Sequence, residues 1–167
     1  VLDAKDCVVA PGFCDMHVHF REPGHEYKET IETGSASAAA GGFSTVAVIA
    51  NTSPVNDNRS VTELILSQAK QTSLVNILPI GAISKGLKGE TLSDMGELKE
   101  AGCIGYSDDG KPVMNSELMR RAFEYSRMFD LPCIQHSEIL DLTHEGCMNE
   151  GIVSTELGLK GMPVEAE

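Results

Sequence analysis

Thr45-Val46-Ala47-Val48-Ile49-Ala50 is almost continuously apolar and rich in β-branched residues. A half-exposed strand alternates apolar and polar side chains; a run that does not alternate is buried on both faces, as in doubly wound sheets and barrels. Similar short runs recur at 13–19, 74–81, 103–106 and 131–135, and the strand containing Thr45 spans 43–50. Between them, helix-like stretches cover 28–40, 60–71, 93–100 and 116–129, with Gly41-Gly42 and Gly102 placed as helix-terminating glycines. Strand and helix therefore alternate in βα units, the pattern of a parallel α/β sheet. Five such units suit a flavodoxin-like sheet, which fits this length, or part of a barrel, which needs about 250 residues when complete. Periodicity leaves both open.

The chain has 167 residues, a formal net charge of −12, 41% hydrophobic residues and no Trp. These numbers describe one globular unit with enough apolar residues for a core. The acidic balance, with no run of Lys or Arg, argues against nucleic acid or an anionic membrane surface as partner. No stretch reaches the roughly 18 apolar residues of a membrane-spanning helix. The start lacks both an initiator Met and a signal-peptide layout, so a cytoplasmic protein with a cut first residue is expected. Cys7, Cys14, Cys103, Cys133 and Cys147 form an odd set without a C-x-x-C pair. Neither a disulfide framework nor a Cys-rich zinc site follows, and reduced, mostly buried thiols are expected. No linker, low-complexity segment or fixed-period repeat interrupts the chain.

The chemistry concentrates at the carboxyl ends of the expected strands. In Asp15-Met16-His17-Val18-His19-Phe20-Arg21, residues two apart point to the same side of a strand, so His17 and His19 can offer imidazoles to one metal ion. The plainer alternative is a pair of polar residues at a strand end. Arg21 lies one step further along that side; its planar fork suits a carboxylate, although a salt bridge to Glu22 or Glu26 would also use it. Asn51 stands where a turn is due, and a turn residue is its simpler reading. The acidic pair in Tyr106-Ser107-Asp108-Asp109-Gly110 and the imidazole of His136 would each pass alone as loop chemistry. Together, however, His17, His19, Arg21, Asn51, Asp109 and His136 all fall on the face where α/β proteins build their sites. Imidazole and carboxylate donors without thiolate suit zinc or another borderline divalent ion acting as a hydrolytic Lewis acid. His25 is expected to face solvent and His144 to lie in a loop.

Pro11-Gly12-Phe13-Cys14-Asp15-Met16-His17-Val18-His19-Phe20-Arg21-Glu22-Pro23-Gly24 resembles the opening motif of the dihydroorotases of the amidohydrolase superfamily. Asn51-Thr52-Ser53-Pro54, Tyr106-Ser107-Asp108-Asp109-Gly110 and Gln135-His136-Ser137-Glu138 resemble that family's next three motifs, in order. The resemblance implies a (β/α)8 barrel with two Zn2+ ions that interconverts N-carbamoyl-L-aspartate and L-dihydroorotate in pyrimidine synthesis. By motif, His17 and His19 would hold the first zinc and His136 the second. Asp109 would bridge them in the manner of bacterial class I enzymes, where hydantoinases and allantoinases use a carbamylated lysine; Lys111 is not at that position. Arg21 and Asn51 would bind the substrate carboxylate, with His19 and Phe20 lining the same pocket.

The chain departs from the family pattern at Ile49-Ala50, where Met-Pro is usual, and at Ser137, where Cys is usual. The family's third zinc histidine and its acid/base aspartate would fall beyond Glu167. Residues 1–10 resemble the end of a small β domain or a lead-in strand, and 11–167 the N-terminal part of the barrel, about its first five βα units. An internal fragment with open sheet edges and little turnover of its own is therefore expected, from a full-length protein that forms a homo-oligomer. A different cyclic-amide hydrolase, of allantoinase or hydantoinase type, and a non-catalytic assembly subunit are the alternatives.

Overall fold

The computed structural model describes residues 3–167. Along the chain run β1 (Phe13–Val18), α1 (Ile31–Ala40), β2 (Phe43–Val48), α2 (Arg59–Thr72), β3 (Asn76–Pro79), a 3-10 turn at Lys85–Leu87, α3 (Met95–Ala101), β4 (Tyr106–Ser107), α4 (Ser116–Met128) and β5 (Cys133–Ile134). Every pairing among these strands is parallel. Phe13 meets Phe43 between β1 and β2, Thr45 meets Asn76 between β2 and β3, and Tyr106 meets Cys133 between β4 and β5. A parallel bridge between Gly81 and Tyr106 joins the two groups, with Ile104 N–H donating to the Pro79 carbonyl and Ser107 N–H to that of Gly81. The five strands are thus laid down in sequential order. A doubly wound sheet reverses its order at a switch point, and no reversal occurs here.

Both faces of β2 are covered, as its unbroken apolar run requires. Val46 and Val48 pack with Phe20, Ile31, Val61, Ile65 and Ile77 beneath α1 and α2. On the other face Ala47 and Ile49 pack with Ile80. A further cluster of Ile83, Met95, Leu98, Cys103, Tyr106, Leu118 and Ala122 ties α3 and α4 to β4.

Helix boundaries follow their caps. The stretch expected to be helical from 28 begins at Ile31, because the Thr30 side chain accepts the Thr33 N–H in a capping box and Glu22 Oε2 accepts the Ile31 N–H. At α2 and α4 the caps are single side chains, Asn58 accepting the Val61 N–H and Asn115 those of Glu117 and Leu118. Gly102 closes α3 at φ 114°, a left-handed conformation that favours glycine. α1 sits close against the segment that follows β1: a Cβ on Gly34 would lie 2.6 Å from two ring carbons of Phe20.

Three features differ from the sequence reading. The end of a small β domain or lead-in strand expected at 1–10 is not formed by the described part of it: 3–10 are exposed and irregular, with a turn at Lys5-Asp6, and residues 1 and 2 lie outside the described ones. Beyond β5 the chain forms α5 (Leu140–Thr143), β6 (Met148–Asn149), α6 (Ile152–Leu157) and β7 (Gly161–Met162), with β6 and β7 pairing in parallel. These elements are short, and apolar residues such as Ile152, 78% exposed, face solvent, so no periodicity announces them. The thiols are also less buried than expected: Cys103 is buried and Cys133 partly so, but Cys7, Cys14 and Cys147 are exposed.

Candidate metal centre

His17 and His19, on and just past the end of β1, bring their Nε2 atoms to 3.2 Å of each other. Asp109, just past β4, places Oδ2 at 3.4 Å from His17 Nε2 and 3.5 Å from His19 Nε2. Three donor atoms at this spacing can hold a metal ion. Ligands on a tetrahedral zinc with bonds of 2.0–2.1 Å lie about 3.3 Å apart, so the triangle fits that ion. The tautomer fits as well. His19 Nδ1 is 3.0 Å from Asn51 Oδ1, and an amide oxygen only accepts, so the proton sits on Nδ1 and Nε2 turns a lone pair to the cluster.

The second oxygen of Asp109 looks elsewhere. Oδ1 lies 3.7 Å from Nδ1 of His136, which follows β5, and His136 Nε2 lies 3.1 Å from Glu138 Oε2. Glu138 Oε1 accepts a hydrogen bond from Thr143 Oγ1 at 2.6 Å. Hydrogen bonds from Thr143 and then His136 hold the Glu138 carboxyl below its ordinary range. A cavity of about 570 Å³ opens beside His136 and Glu138, bordered by Thr143, Asn149 and Met162.

Asp108 is spent on structure. Its Oδ1 accepts the N–H groups of Ile83, at 2.7 Å, and Ser84, at 3.0 Å, and its Oδ2 accepts the Ser84 hydroxyl. Burial pushes its carboxyl above the ordinary range against the pull of these bonds. Lys111 is exposed on the turn beyond, its N–H bonded to the Asp108 carbonyl.

The carboxylates that could have paired with Arg21 are occupied. Glu22 accepts the Ile31 N–H and Glu26 the Gly24 N–H, each at 2.7 Å, which leaves the half-buried Arg21 guanidinium without a carboxylate partner among the described residues. Its loop docks on the one after β2: Ser53 N–H donates to the Pro23 carbonyl at 2.9 Å, and Gly24, at φ 97°, lies so close to Ser53 that a Cβ would fall 1.9 Å from its oxygen. Phe20 does not line this site. It is 5% exposed and packed in the core under α1; Arg21 follows at φ 59°, in the left-handed region, so the chain leaves extended geometry there and the expected alternation linking His17 and His19 does not extend to Arg21. His25 stacks edge-on to Tyr27, and His144 is exposed near Glu145; neither joins the cluster. Sequence reading gave no role to Glu138 or Thr143, although Glu138 stands two residues after His136, the spacing that already links His17 to His19.

Residues 6–167 match the family model described as Dihydro-orotase-like. The chain belongs to that family. Among its dihydro-orotase-like relatives, the dihydroorotase of Geobacter sp. (strain M21) is 62% identical over 166 residues, covering 99% of this chain and 39% of the relative. The dihydroorotases of Syntrophotalea carbinolica and Anaeromyxobacter dehalogenans are each 56% identical, covering 99% and 100% of this chain and again 39% of their own. The dihydro-orotase-like chain thus spans about two fifths of the length of the curated relatives it matches. Its fold is similar to that of L-hydantoinase (dihydropyrimidinase) from Arthrobacter aurescens, with a TM-score of 0.69 and 20% identity over 79% of this chain and 30% of that one. No helix among the described residues is long and apolar enough to cross a membrane.

Proposed function

We propose that the protein carrying this chain is a zinc-dependent dihydroorotase that interconverts N-carbamoyl-L-aspartate and L-dihydroorotate in pyrimidine synthesis. In this proposal 11–167 form about the first five βα units of a (β/α)8 barrel, and 1–10 lead in from a small β domain. Sequential strand order and the hydantoinase-like fold support it. The observation that carries the function is the division of Asp109, with Oδ2 turned to His17 and His19 and Oδ1 turned to His136. A carboxylate so placed suits two ions: His17 and His19 would hold one, His136 the other, and Asp109 would serve both.

When bound, zinc would supply Lewis acidity, lowering the pKa of water and polarising the ring amide. Arg21 takes the substrate carboxylate with its planar fork and so fixes which bond of the ring faces the imidazoles. Asn51 keeps its oxygen on His19 and has its amide N–H groups left to donate to the same carboxylate. Phe20 anchors the segment between His19 and Arg21 in the core. The free cysteines suit a reducing cytoplasm.

The test is metal content and substrate range of the full-length protein. We expect about two zinc ions per chain, and turnover of dihydroorotate but not of allantoin or hydantoin. A metal-free protein, or one that prefers allantoin, would refute the assignment. The isolated chain is expected to show little turnover, since the resemblance places the third zinc histidine and the acid/base aspartate outside these residues.

A further inference from the structure

We infer that Glu138 is the positioning residue for His136: it accepts the Nε2–H of that imidazole and thereby aims the Nδ1 lone pair at Asp109. The inference rests on the metal-site reading above for its consequence but not for its geometry. His136 is held loosely by packing, with 35% of its side chain exposed, so its hydrogen bonds decide which nitrogen faces inward. At 3.1 Å, Nε2 and Glu138 Oε2 are within hydrogen-bond distance; at 3.7 Å, Nδ1 and Asp109 Oδ1 are not. A carboxylate oxygen only accepts, so the proton belongs on Nε2.

Glu138 is itself held in place. Its other oxygen takes the Thr143 hydroxyl at 2.6 Å, so each oxygen has one donor and the carboxylate cannot swing without losing both. Thr143 ends α5, whose turn is closed by N–H groups of Leu142 and Thr143 on the Ile139 carbonyl. The Ile139 N–H in turn bonds to the Ala166 carbonyl at 2.7 Å. Glu138 and α5 therefore orient an imidazole that precedes them in the chain. The arrangement mirrors Asn51 on His19: each imidazole is gripped at the nitrogen away from Asp109, and a carboxylate in that place also makes the ring a stronger base toward a cation.

The experiment uses the full-length protein with 15N-labelled histidine. In the metal-free wild type at a pH where imidazole is neutral, His136 is expected to show the Nε2–H tautomer. Glu138→Gln, which retains an acceptor, should preserve it; Glu138→Ala should yield a mixture, and Thr143→Val an intermediate one, with melting curves confirming that each variant folds. Cobalt(II) affinity should fall 10–100-fold in Glu138→Ala, the usual loss when such an outer hydrogen bond is removed, and change by no more than about threefold in Glu138→Gln. An unaltered tautomer in Glu138→Ala overturns the inference. A tautomer set by Glu138 in a protein that takes up no cobalt supports the inference and overturns the proposed function, so the two fail separately.

Discussion

Asp108 and Asp109 adjoin in the chain and turn their carboxylates to opposite sides, Asp108 into the wall formed by Ile83 and Ser84, Asp109 into the imidazole cluster. Their substitutions should separate accordingly. Asp108→Ala leaves buried N–H groups unpaired and is expected to lower folding stability by about 1–3 kcal/mol, while Asp108→Asn, which keeps an acceptor, costs less. Asp109→Ala should strip the protein of metal and, compared with wild type in metal-free preparations, leave the urea midpoint nearly unchanged. Urea unfolding and elemental analysis on the same preparations check both.

Arg21 offers a fork to a carboxylate and has no carboxylate partner among the described residues, Glu22 and Glu26 being bound to backbone N–H groups. Arg21→Lys keeps the charge and loses the paired geometry, so KM for dihydroorotate should rise about tenfold or more with a smaller change in kcat. Steady-state kinetics of the full-length variant measure this. Equal loss in kcat and kcat/KM would place the guanidinium in the reaction instead.

Gly24 fixes the Arg21 loop against the loop after β2. Gly24→Ala adds a Cβ that collides with Ser53 and forces a side chain into a positive-φ conformation. A stability loss of about 1–3 kcal/mol is expected, together with a raised KM, because the guanidinium moves with its loop. Thermal melts and substrate titration provide the measurements.

The thiols should sort by burial. Cys7, Cys14 and Cys147 are exposed and should react promptly with a disulfide reagent, whereas Cys103 should react only on unfolding. Burial raises the Cys103 thiol against hydrogen bonds from Thr62 and Asn56. The folded state therefore keeps this proton to higher pH than the unfolded chain does. Its contribution to stability is complete below about pH 8.5 and declines as the pH climbs toward the folded value. Urea midpoints between pH 7 and 10 test the sign: the slope should flatten in Cys103→Ala.

The parallel α/β class was readable in Thr45-Val46-Ala47-Val48-Ile49-Ala50, because burial on two faces leaves an unbroken apolar run. Strand order was not, since periodicity records which faces are buried and not which strand lies beside which. His17, His19, Asp109 and His136 could be selected because all stand at strand ends, and the fold brings them together around one carboxylate. Phe20 belongs to the core with Ile31 and Val46, and Arg21, at φ 59°, turns out of strand geometry, so the alternation that links His17 to His19 does not carry on to Arg21. The same alternation, applied to His136, points to Glu138. Asp108 could not be separated from a turn-forming aspartate by sequence, because its partners, Ile83 and Ser84, come from another unit.

Sequential strand order has a kinetic consequence. Phe13 finds Phe43, Thr45 finds Asn76, Gly81 finds Tyr106, and Tyr106 finds Cys133. Each step closes a loop of about thirty residues, so the entropic cost is nearly the same every time and never that of joining distant ends. Strands can be added in the order in which a ribosome releases them. His17 and His19 can thus be held side by side at the end of a paired β1 before Asp109 has been synthesised.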